Sequence, residues 1–162
     1  MGSSSAIVVD KVSVSKRSEI MRAVKSRDSK IEHDFRRELW RQGFRYRKNA
    51  SEYYGKPDIV LKKYKTVIFV DSCFWHGCPE HLRMPSSRQE YWNNKIRKNR
   101  KRDLAVNEYY KNMGWVVIRI WEHDLKNNAD EVADRTVISL RMLAKTSSDS
   151  RKTTDIRNIA RL

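Results

Sequence analysis

Apolar residues recur at helical spacing in several stretches of the chain, and a short basic helix is predicted over residues 16–24. Residues 29–32 match a capping box, which opens a second helix that Gly43 ends. The predicted buried face of this helix, at i, i+4 and i+8, is Ile31, Phe35 and Leu39. A long, very basic helix is predicted over residues 88–113 and a final helix over residues 130–145.

Short runs of apolar and β-branched residues between these helices predict the strands. One is expected at 44–47, two more at 58–61 and 66–70 with a lysine-rich turn between them, and the last at 115–121. The order α-α-β-β-β-α-β-α predicts an α/β fold in which helices flank a small mixed β-sheet.

The charge of the chain narrows the class of partner. Its 162 residues suffice for one domain, expected over residues 16–145, between a disordered leader at 1–15 and a flexible basic tail at 146–162. Lys and Arg outnumber Asp and Glu by 35 to 20, and a net charge of +15 favours nucleic acid as the partner. An anionic membrane surface is the alternative, although no run is apolar enough to cross a bilayer. We expect a monomer.

Only two cysteines occur, and no signal peptide is recognisable, so we expect a reducing, cytoplasmic setting. Cys73 and Cys78 are followed by His81, and His123 stands just after the last predicted strand. Two thiolates and two imidazoles satisfy tetrahedral zinc. The spacing C-x4-C-x2-H is not that of a standard zinc finger, so buried thiols with solvent-exposed histidines remain an equal alternative on spacing alone.

Oxygen ligands for magnesium are placed where two predicted strands meet. Asp58 opens one strand, and the next strand arrives at Val70 and Asp71. Many metal-dependent nucleases arrange ligands in this way, which makes the Asp58 and Asp71 carboxylates and the Val70 carbonyl candidate ligands. Taken alone, Pro-Asp fits a turn better, and the acid-x-lysine element that usually follows in such nucleases is absent. His76 is a candidate general base, with a zinc ligand or a structural histidine as the alternatives.

Five tryptophans are many for this length. Trp40, Trp115 and Trp121 fall in helix or strand patterns and are expected in the core. A second set of aromatic residues lies in polar, basic surroundings and comprises Phe74, Trp75 and Trp92. Insertion of these side chains between DNA bases and packing over the metal loop are equally good interpretations.

Seven of the nine residues at 95–103 are charged, and six of these are positive. Phosphates would relieve the repulsion among them, so this run predicts DNA contacts, with a solvated helix face as the alternative. The candidate phosphate ligands are Lys95, Arg97, Lys98 and Arg100. Asp103, the single acid of the run, is a candidate for orienting a neighbouring group. The capping box alone accounts for Glu32.

In this order, several segments of the chain resemble the very-short-patch-repair (Vsr) family of DNA mismatch endonucleases. The resemblance runs from about residue 16 to residue 145. The matching segments are Ile20-Met21-Arg22-Ala23, residues 26–32, Lys56-Pro57-Asp58, Val67-Ile68-Phe69-Val70, Cys73-Phe74-Trp75-His76, residues 91–96, residues 99–103 and residues 114–122.

The resemblance implies a variant of the PD-(D/E)XK restriction-endonuclease fold with a structural zinc. It further implies a magnesium-dependent enzyme that nicks one strand of double-stranded DNA at a T:G mismatch. The enzyme would be a bacterial, cytoplasmic protein associated with the nucleoid, and it would have a functional link to a cytosine-5 DNA methyltransferase. Carried over by position, Asp58 binds magnesium beside the Val70 carbonyl, His76 is the catalytic imidazole, and Glu32 and Asp103 orient waters or the imidazole. Phe74, Trp75 and Trp92 match aromatics that wedge into DNA, and Met21 matches a residue that enters from the opposite groove.

Three positions depart from the family pattern. Asp71 and Ser72 stand where the family often has histidine and glycine, which changes the proton relay that can be carried over. His123 stands where the better-known pattern has a cysteine, yet four zinc ligands are still supplied. Two other classes remain as hypotheses from the sequence, namely a zinc-stabilised DNA-binding module without catalysis and an RNA-binding protein or ribonuclease. A nicking enzyme with a different or relaxed mismatch specificity is a further alternative.

Overall fold

The computed structural model describes residues 30–148. The helices are α1 (Lys30–Arg41), α2 (Gln89–Asn112) and α3 (Glu122–Ser148). The strands are β1 (Arg47–Lys48), β2 (Ile59–Leu61), β3 (Thr66–Asp71) and β4 (Val116–Trp121), with a short 3-10 turn at Lys62–Tyr64 between β2 and β3.

The four strands form one mixed sheet in the order β1-β2-β3-β4. β1, β2 and β3 pair antiparallel, whereas β3 and β4 pair parallel, with α2 as the crossover. Because β3 and β4 are parallel, their carboxyl ends lie at the same sheet edge, where Asp71 is the register partner of Trp121. The start of β2 lies at this edge too, since Ile59 pairs with Ile68. The residues before β2, after β3 and after β4 therefore meet there.

Successive strand side chains point to opposite faces of the sheet, and each face has its own core. The first face packs against α1 and α3, through residues that include Ile59, Ile68, Ile118, Ile120, Phe35, Leu39, Val137 and Leu140. The second face packs against α2, through Val60, Val67, Phe69, Val106 and Tyr110. The result is a three-layer α/β/α arrangement, which confirms the predicted mixed sheet flanked by helices.

Several element boundaries differ from the prediction. The short strand expected at 44–47 is found only at Arg47–Lys48. The final helix begins at Glu122 rather than at 130, because the chain turns into helix directly after β4 and breaks at Asn128, whose backbone is extended. The Asn128 side chain accepts a hydrogen bond from the backbone N–H of Glu131 and so caps the part of α3 that follows the break. The apolar spacing had predicted only this part of α3.

The prediction that Trp40 belongs to the core is wrong. Its side chain is 52% exposed, because it follows Leu39 on α1 and points about 100° away from the buried face. Trp115 and Trp121 are half-buried. The predicted helix at 16–24, which carries Met21, lies outside the described residues, as do the predicted leader and the tail beyond Ser148. None of the helices within the described range has the length and apolar character needed to span a bilayer.

Candidate active site and metal cluster

Two thiols and two imidazoles meet at the common sheet edge. Cys73, Cys78 and His81 lie on the loop after β3, and His123 lies in the first turn after β4. Their ligand atoms all lie within 4.8 Å of one another. The Nδ1 atom of His123 is 3.2 Å from the Sγ of Cys73 and 3.8 Å from the Sγ of Cys78. The Sγ of Cys78 is also 3.7 Å from the Nδ1 of His81. We call these four residues the Cys/His cluster.

These separations match the coordination sphere of a small tetrahedral ion. Zinc–ligand distances of about 2.0–2.3 Å place tetrahedral ligands about 3.3–3.8 Å apart, so the donor set is compatible with zinc. The Nε2 atom of His123 lies 3.2 Å from a carboxylate oxygen of Asp124, the kind of partner that orients a metal-ligating imidazole. Burial raises the pKa of the Cys73 thiol, and the neighbouring Cys78 raises it further, so metal loading has to displace protons.

The loop that carries the cluster is held against α2 by hydrogen bonds to its backbone carbonyls. The amide of Asn99 donates to the carbonyl of Trp75 at 2.9 Å. The guanidinium of Arg100 donates to the carbonyl of Gly77 at 2.7 Å and to that of His76 at 3.4 Å. Arg100, predicted to contact phosphate, is therefore also a structural support of the loop, a role that its sequence position did not indicate.

Gly77 is needed at the closest approach of this loop to α2. Its φ of +66° lies in the left-handed region, and a Cβ there would lie 2.8 Å from the Cγ2 of Ile96. Gly77→Ala should therefore lower the free energy of unfolding by about 2–4 kcal/mol, which combines backbone strain with overpacking. Gly114→Ala is the matched control, because Gly114 has a φ of +68° but a Cβ there would have no atom of the described residues within 4 Å, its own neighbours aside. Equal losses in urea unfolding of the two variants would contradict the contact argument.

Asp58 and Val70 lie side by side where β2 begins and β3 ends. The backbone N–H of Val70 donates to the carboxylate of Asp58 at 2.8 Å. Burial raises the pKa of Asp58 to about 6, against the effect of that hydrogen bond, and the nearby carboxylates of Glu32 and Asp71 raise it further. Arg36 opposes this rise, but its guanidinium also pairs with Glu32 at 3.4 Å. The result is a buried group of acids suited to a cation.

His76 lies next to this group of acids and is fixed by Asp103. Its Nδ1 atom is 2.7 Å from the carboxylate of Asp103 and 3.5 Å from that of Asp71. Burial raises the pKa of Asp103, but the hydrogen bond with His76 and the charge of Arg119 outweigh burial, so its pKa is below the ordinary value. An ionised carboxylate can only accept, so Nδ1 is the donor and Nε2 is the nitrogen able to take up a proton.

Comparison with known proteins identifies the family. The sequence model of the DNA mismatch endonuclease Vsr family matches residues 9–81. The type II nicking enzyme V.NmeAIP of Neisseria meningitidis serogroup A is 46% identical over 125 residues, which are 75% of this chain and 88% of that protein. The DNA mismatch endonuclease Vsr of Escherichia coli is 38% identical over 111 residues, 68% of this chain and 71% of that protein. The chain belongs to the Vsr family of DNA mismatch endonucleases.

Family membership has direct consequences for activity and fold. The protein is an endonuclease, a hydrolase of phosphodiester bonds in DNA, and its relatives include the type II nicking enzyme V.NaeI of Lentzea aerocolonigenes, 42% identical over 113 residues, 67% of this chain and 68% of that protein. Membership also implies the restriction-endonuclease-like fold, which agrees with the observed mixed sheet and its flanking helices.

The aromatic residues that were predicted to lie in polar, basic surroundings pack on one another. The rings of Phe74, Trp75 and Trp92 have centroids 5.0–6.0 Å apart, and Tyr91 lies 5.0 Å from Trp92. The first three are half-buried, whereas Tyr91 is 56% exposed. We call these four residues the aromatic cluster. The three rings therefore pack on one another and are partly exposed at the same time.

The basic residues of α2 divide into two groups. Lys95, Arg97 and Lys98 are exposed on the helix surface, although Arg97 also donates to the side chain of Asn94 at 2.8 Å. Arg100 is exposed as well, but it holds the loop. Three of the predicted phosphate ligands are therefore open to solvent, namely Lys95, Arg97 and Lys98.

Arg119 is the residue of this site that sequence reasoning missed. Its guanidinium contacts both oxygens of Asp71 at 2.7 Å and lies 3.1 Å from a carboxylate oxygen of Asp103. A signal for it was present, since a single arginine interrupts the otherwise apolar run of β4. A charge in a strand that is covered by a helix has to find carboxylate partners, because burying it unpaired is costly.

Proposed function

We propose that this protein is a magnesium-dependent endonuclease that nicks one strand of double-stranded DNA beside the thymine of a T:G mismatch. Such mismatches arise when 5-methylcytosine is deaminated, so a functional link to a cytosine-5 DNA methyltransferase is part of the proposal. The observation that carries it is the meeting of Asp58, Val70 and the His76–Asp103 pair at one sheet edge in a member of a mismatch endonuclease family.

Asp58 and the Val70 carbonyl would hold the magnesium ion. Both are hard oxygen donors, and the neighbouring acids Glu32 and Asp71 add negative charge that a cation would offset. When bound, magnesium supplies positive charge to the scissile phosphate and lowers the pKa of a coordinated water. Glu32, which is buried and paired with Arg36, would orient a water molecule at this site.

His76 acts as the general base. The attacking water gives a proton to its Nε2 atom while the water oxygen bonds to phosphorus. The bond from phosphorus to the deoxyribose oxygen breaks, and that oxygen keeps the electron pair and takes a proton from solvent. Asp103 keeps the Nδ1–H in place and stabilises the imidazolium that forms. Asp71 lies 3.5 Å from His76, beyond hydrogen-bond range, so Asp103 is the partner that fixes the imidazole.

The Cys/His cluster would hold a structural zinc ion. It ties the loop that carries Phe74, Trp75 and His76 to the first turn of α3, and all four protein ligands are accounted for. A closed four-ligand site has no open position for substrate, which is the pattern of a structural rather than a catalytic ion.

The DNA would lie across the aromatic cluster and the exposed face of α2. Phe74, Trp75 and Trp92 would insert at the mismatch, where unstacking costs least. Met21, outside the described residues, keeps its proposed role in the opposite groove by family resemblance alone. Lys95, Arg97 and Lys98 would contact backbone phosphates, and their exposure supports that role.

Binding should weaken steeply with salt because these contacts release counterions, each with a slope of about −0.9 in log K against log salt. Lys98→Ala should reduce that slope by about one. Lys111→Ala, near the other end of α2 and 3.4 Å from Glu108, is the control and should leave the slope unchanged. Fluorescence anisotropy with a mismatched duplex at several salt concentrations gives both slopes. A flat salt response in the unmodified protein would contradict the phosphate contacts.

The proposed specificity is tested with a panel of duplexes in one sequence context, carrying T:G, each other mismatch, or a T:A pair. We expect nicking of the T:G duplex to be about 5- to 150-fold faster than that of the T:A duplex, because discrimination at one base pair contributes about 1–3 kcal/mol and each 1.4 kcal/mol is a factor of ten in rate. Equal rates on all duplexes would remove the mismatch role and retain the nuclease. Binding without nicking of any duplex would favour a DNA-binding module.

A further inference from the structure

Arg119 joins three polar side chains at the second face of the sheet. Its Nη1 atom lies 2.7 Å from each oxygen of Asp71, its Nη2 atom lies 3.1 Å from Asp103, and its Nε atom donates to Asn107 at 3.1 Å. Each of the three guanidinium nitrogens therefore has a partner. The guanidinium carbon also lies 4.9 Å from the ring centroid of Phe69, its register partner in β3.

The position of Arg119 is fixed by rigid elements on both sides. It lies in β4, its partner Asp71 ends β3, and both Asp103 and Asn107 lie one turn apart on α2. The side chain of Arg119 is only 20% exposed, and those of Asp71 and Asp103 are 7% and 15% exposed. A planar group with donors in a fixed fork can span these separate elements, whereas a single point charge cannot.

The contacts of Arg119 decide which carboxylate His76 binds. Asp71 and Asp103 both approach the Nδ1 atom of His76, at 3.5 and 2.7 Å. Arg119 engages both oxygens of Asp71, which keeps that carboxylate out of hydrogen-bond range of the imidazole. It also contacts the second oxygen of Asp103, which leaves the first oxygen directed at His76. Without the guanidinium, two buried like charges would compete for one N–H group.

We propose that Arg119 is a positioning residue for the nicking reaction, which acts by holding Asp71 away from His76 and Asp103 against it. Arg119 thereby sets the tautomer and the ring orientation of His76, with Nε2 left as the proton acceptor. Aspartate at position 71 and arginine at position 119 act as a unit in this arrangement. The inference rests on the proposed role of His76 as general base.

A double-mutant cycle tests the inference in the full-length protein. Arg119→Met should lower the single-turnover nicking rate on a T:G duplex by about 100-fold, because small misplacements of a catalytic group cost that much. The dissociation constant for the same duplex should change by less than about threefold, since the guanidinium of Arg119 is engaged by Asp71, Asp103 and Asn107 within the protein. In a His76→Ala background, Arg119→Met should cause no further loss of rate, because its effect runs through the imidazole.

Arg119→Lys keeps the positive charge but not the planar guanidinium with its several donors. Its nicking rate should therefore lie between those of Arg119→Met and the unmodified protein. Arg135→Met is the matched control, since Arg135 is exposed on α3 at the opposite face of the sheet, and should nick at the unmodified rate. An unchanged rate in Arg119→Met would overturn the inference. An equal loss in the presence and absence of His76 would also overturn it and assign Arg119 a purely structural role.

Arg119→Met leaves two carboxylates without their partner and can lose activity by misfolding. A measurement on the unmodified protein therefore provides a second test. Two-dimensional ¹H–¹⁵N spectra of histidine-labelled protein report the imidazole tautomer, and His76→Ala assigns the signal. We expect the Nδ1–H tautomer in the unmodified protein, and also in Asn107→Ala, which removes only the Nε partner of Arg119 and leaves its contacts with Asp71 and Asp103. An Nε2–H tautomer in the unmodified protein would overturn the inference. A protein that fails to nick any mismatched duplex while showing the expected tautomer would instead refute the proposed function.

Discussion

Asp58→Asn should abolish nicking while leaving DNA binding intact. Asparagine keeps an oxygen that can accept the hydrogen bond from the Val70 N–H, so the strand ends should stay in place. The variant loses the negative charge of the proposed magnesium ligand, and metal-assisted charge stabilisation contributes several kcal/mol to such reactions. With about 1.4 kcal/mol for each factor of ten, the single-turnover rate should fall by at least about 1,000-fold.

The same substitution should stabilise the metal-free protein at neutral pH. The folded-state pKa of Asp58 is raised from 3.8 to about 6, so between these values the folded state binds more protons than the unfolded state. Stability is therefore lost as the pH rises through this window, and asparagine avoids that loss. The gain of Asp58→Asn in EDTA at pH 7.5 should be no more than about 3 kcal/mol and should vanish near pH 4.

Asp130→Asn is the control for both measurements, because Asp130 is exposed on α3. It should nick at the unmodified rate and show no pH-dependent gain in urea unfolding. If Asp58→Asn nicks at the unmodified rate, Asp58 does not bind the metal. If it loses nicking and DNA binding together, the substitution has disrupted the site rather than removed a ligand.

His81→Ala should remove the metal from the Cys/His cluster and destabilise the loop after β3. Loss of a structural metal is one of the few changes that can lower the free energy of unfolding of a single domain by more than about 4 kcal/mol. The loop carries His76 and two members of the aromatic cluster, so nicking and mismatch binding should both fall. Elemental analysis should give one zinc per unmodified chain and none for His81→Ala, with a lower melting temperature for the variant.

His33→Ala is the matched control, since His33 is exposed on α1 and lies outside the Cys/His cluster. It should retain the zinc and the unmodified melting temperature. A strong chelator should lower the melting temperature of the unmodified protein to that of His81→Ala. A melting temperature that neither the chelator nor His81→Ala changes would show that the cluster holds no structural metal.

The sheet edge was predictable because strand ends obey simple geometry. Asp58 opens one strand and Val70 ends the next, so antiparallel pairing brings them together. In the structure the backbone N–H of Val70 donates a hydrogen bond to the carboxylate of Asp58. Parallel pairing of β3 with β4 likewise carries His123 back to Cys73. Both predictions needed only the strand boundaries, which the apolar runs define within a residue or two.

The contacts between α2 and the sheet were not predictable in this way. Asn99 and Arg100 of α2 hold the loop, and Asp103 of α2 reaches Arg119 of β4, because the rotation of α2 turns these three helix side chains toward the loop and the sheet. A helix with basic residues on most of its surface gives little indication of which of them face the sheet. The sequence of α2 therefore predicted a phosphate-binding face but not the support that the same helix gives to the site.

The most direct test of the account is a nicking assay on a duplex with a single T:G mismatch in which each strand carries its own label. The protein is incubated in EDTA, and magnesium is then added in excess to the same sample. We predict no product in EDTA and, after magnesium, a single cut in the thymine strand beside the mismatch, with the guanine strand intact. Cutting in EDTA, or equal cutting of both strands, would contradict a magnesium-dependent nick directed by the mispaired thymine.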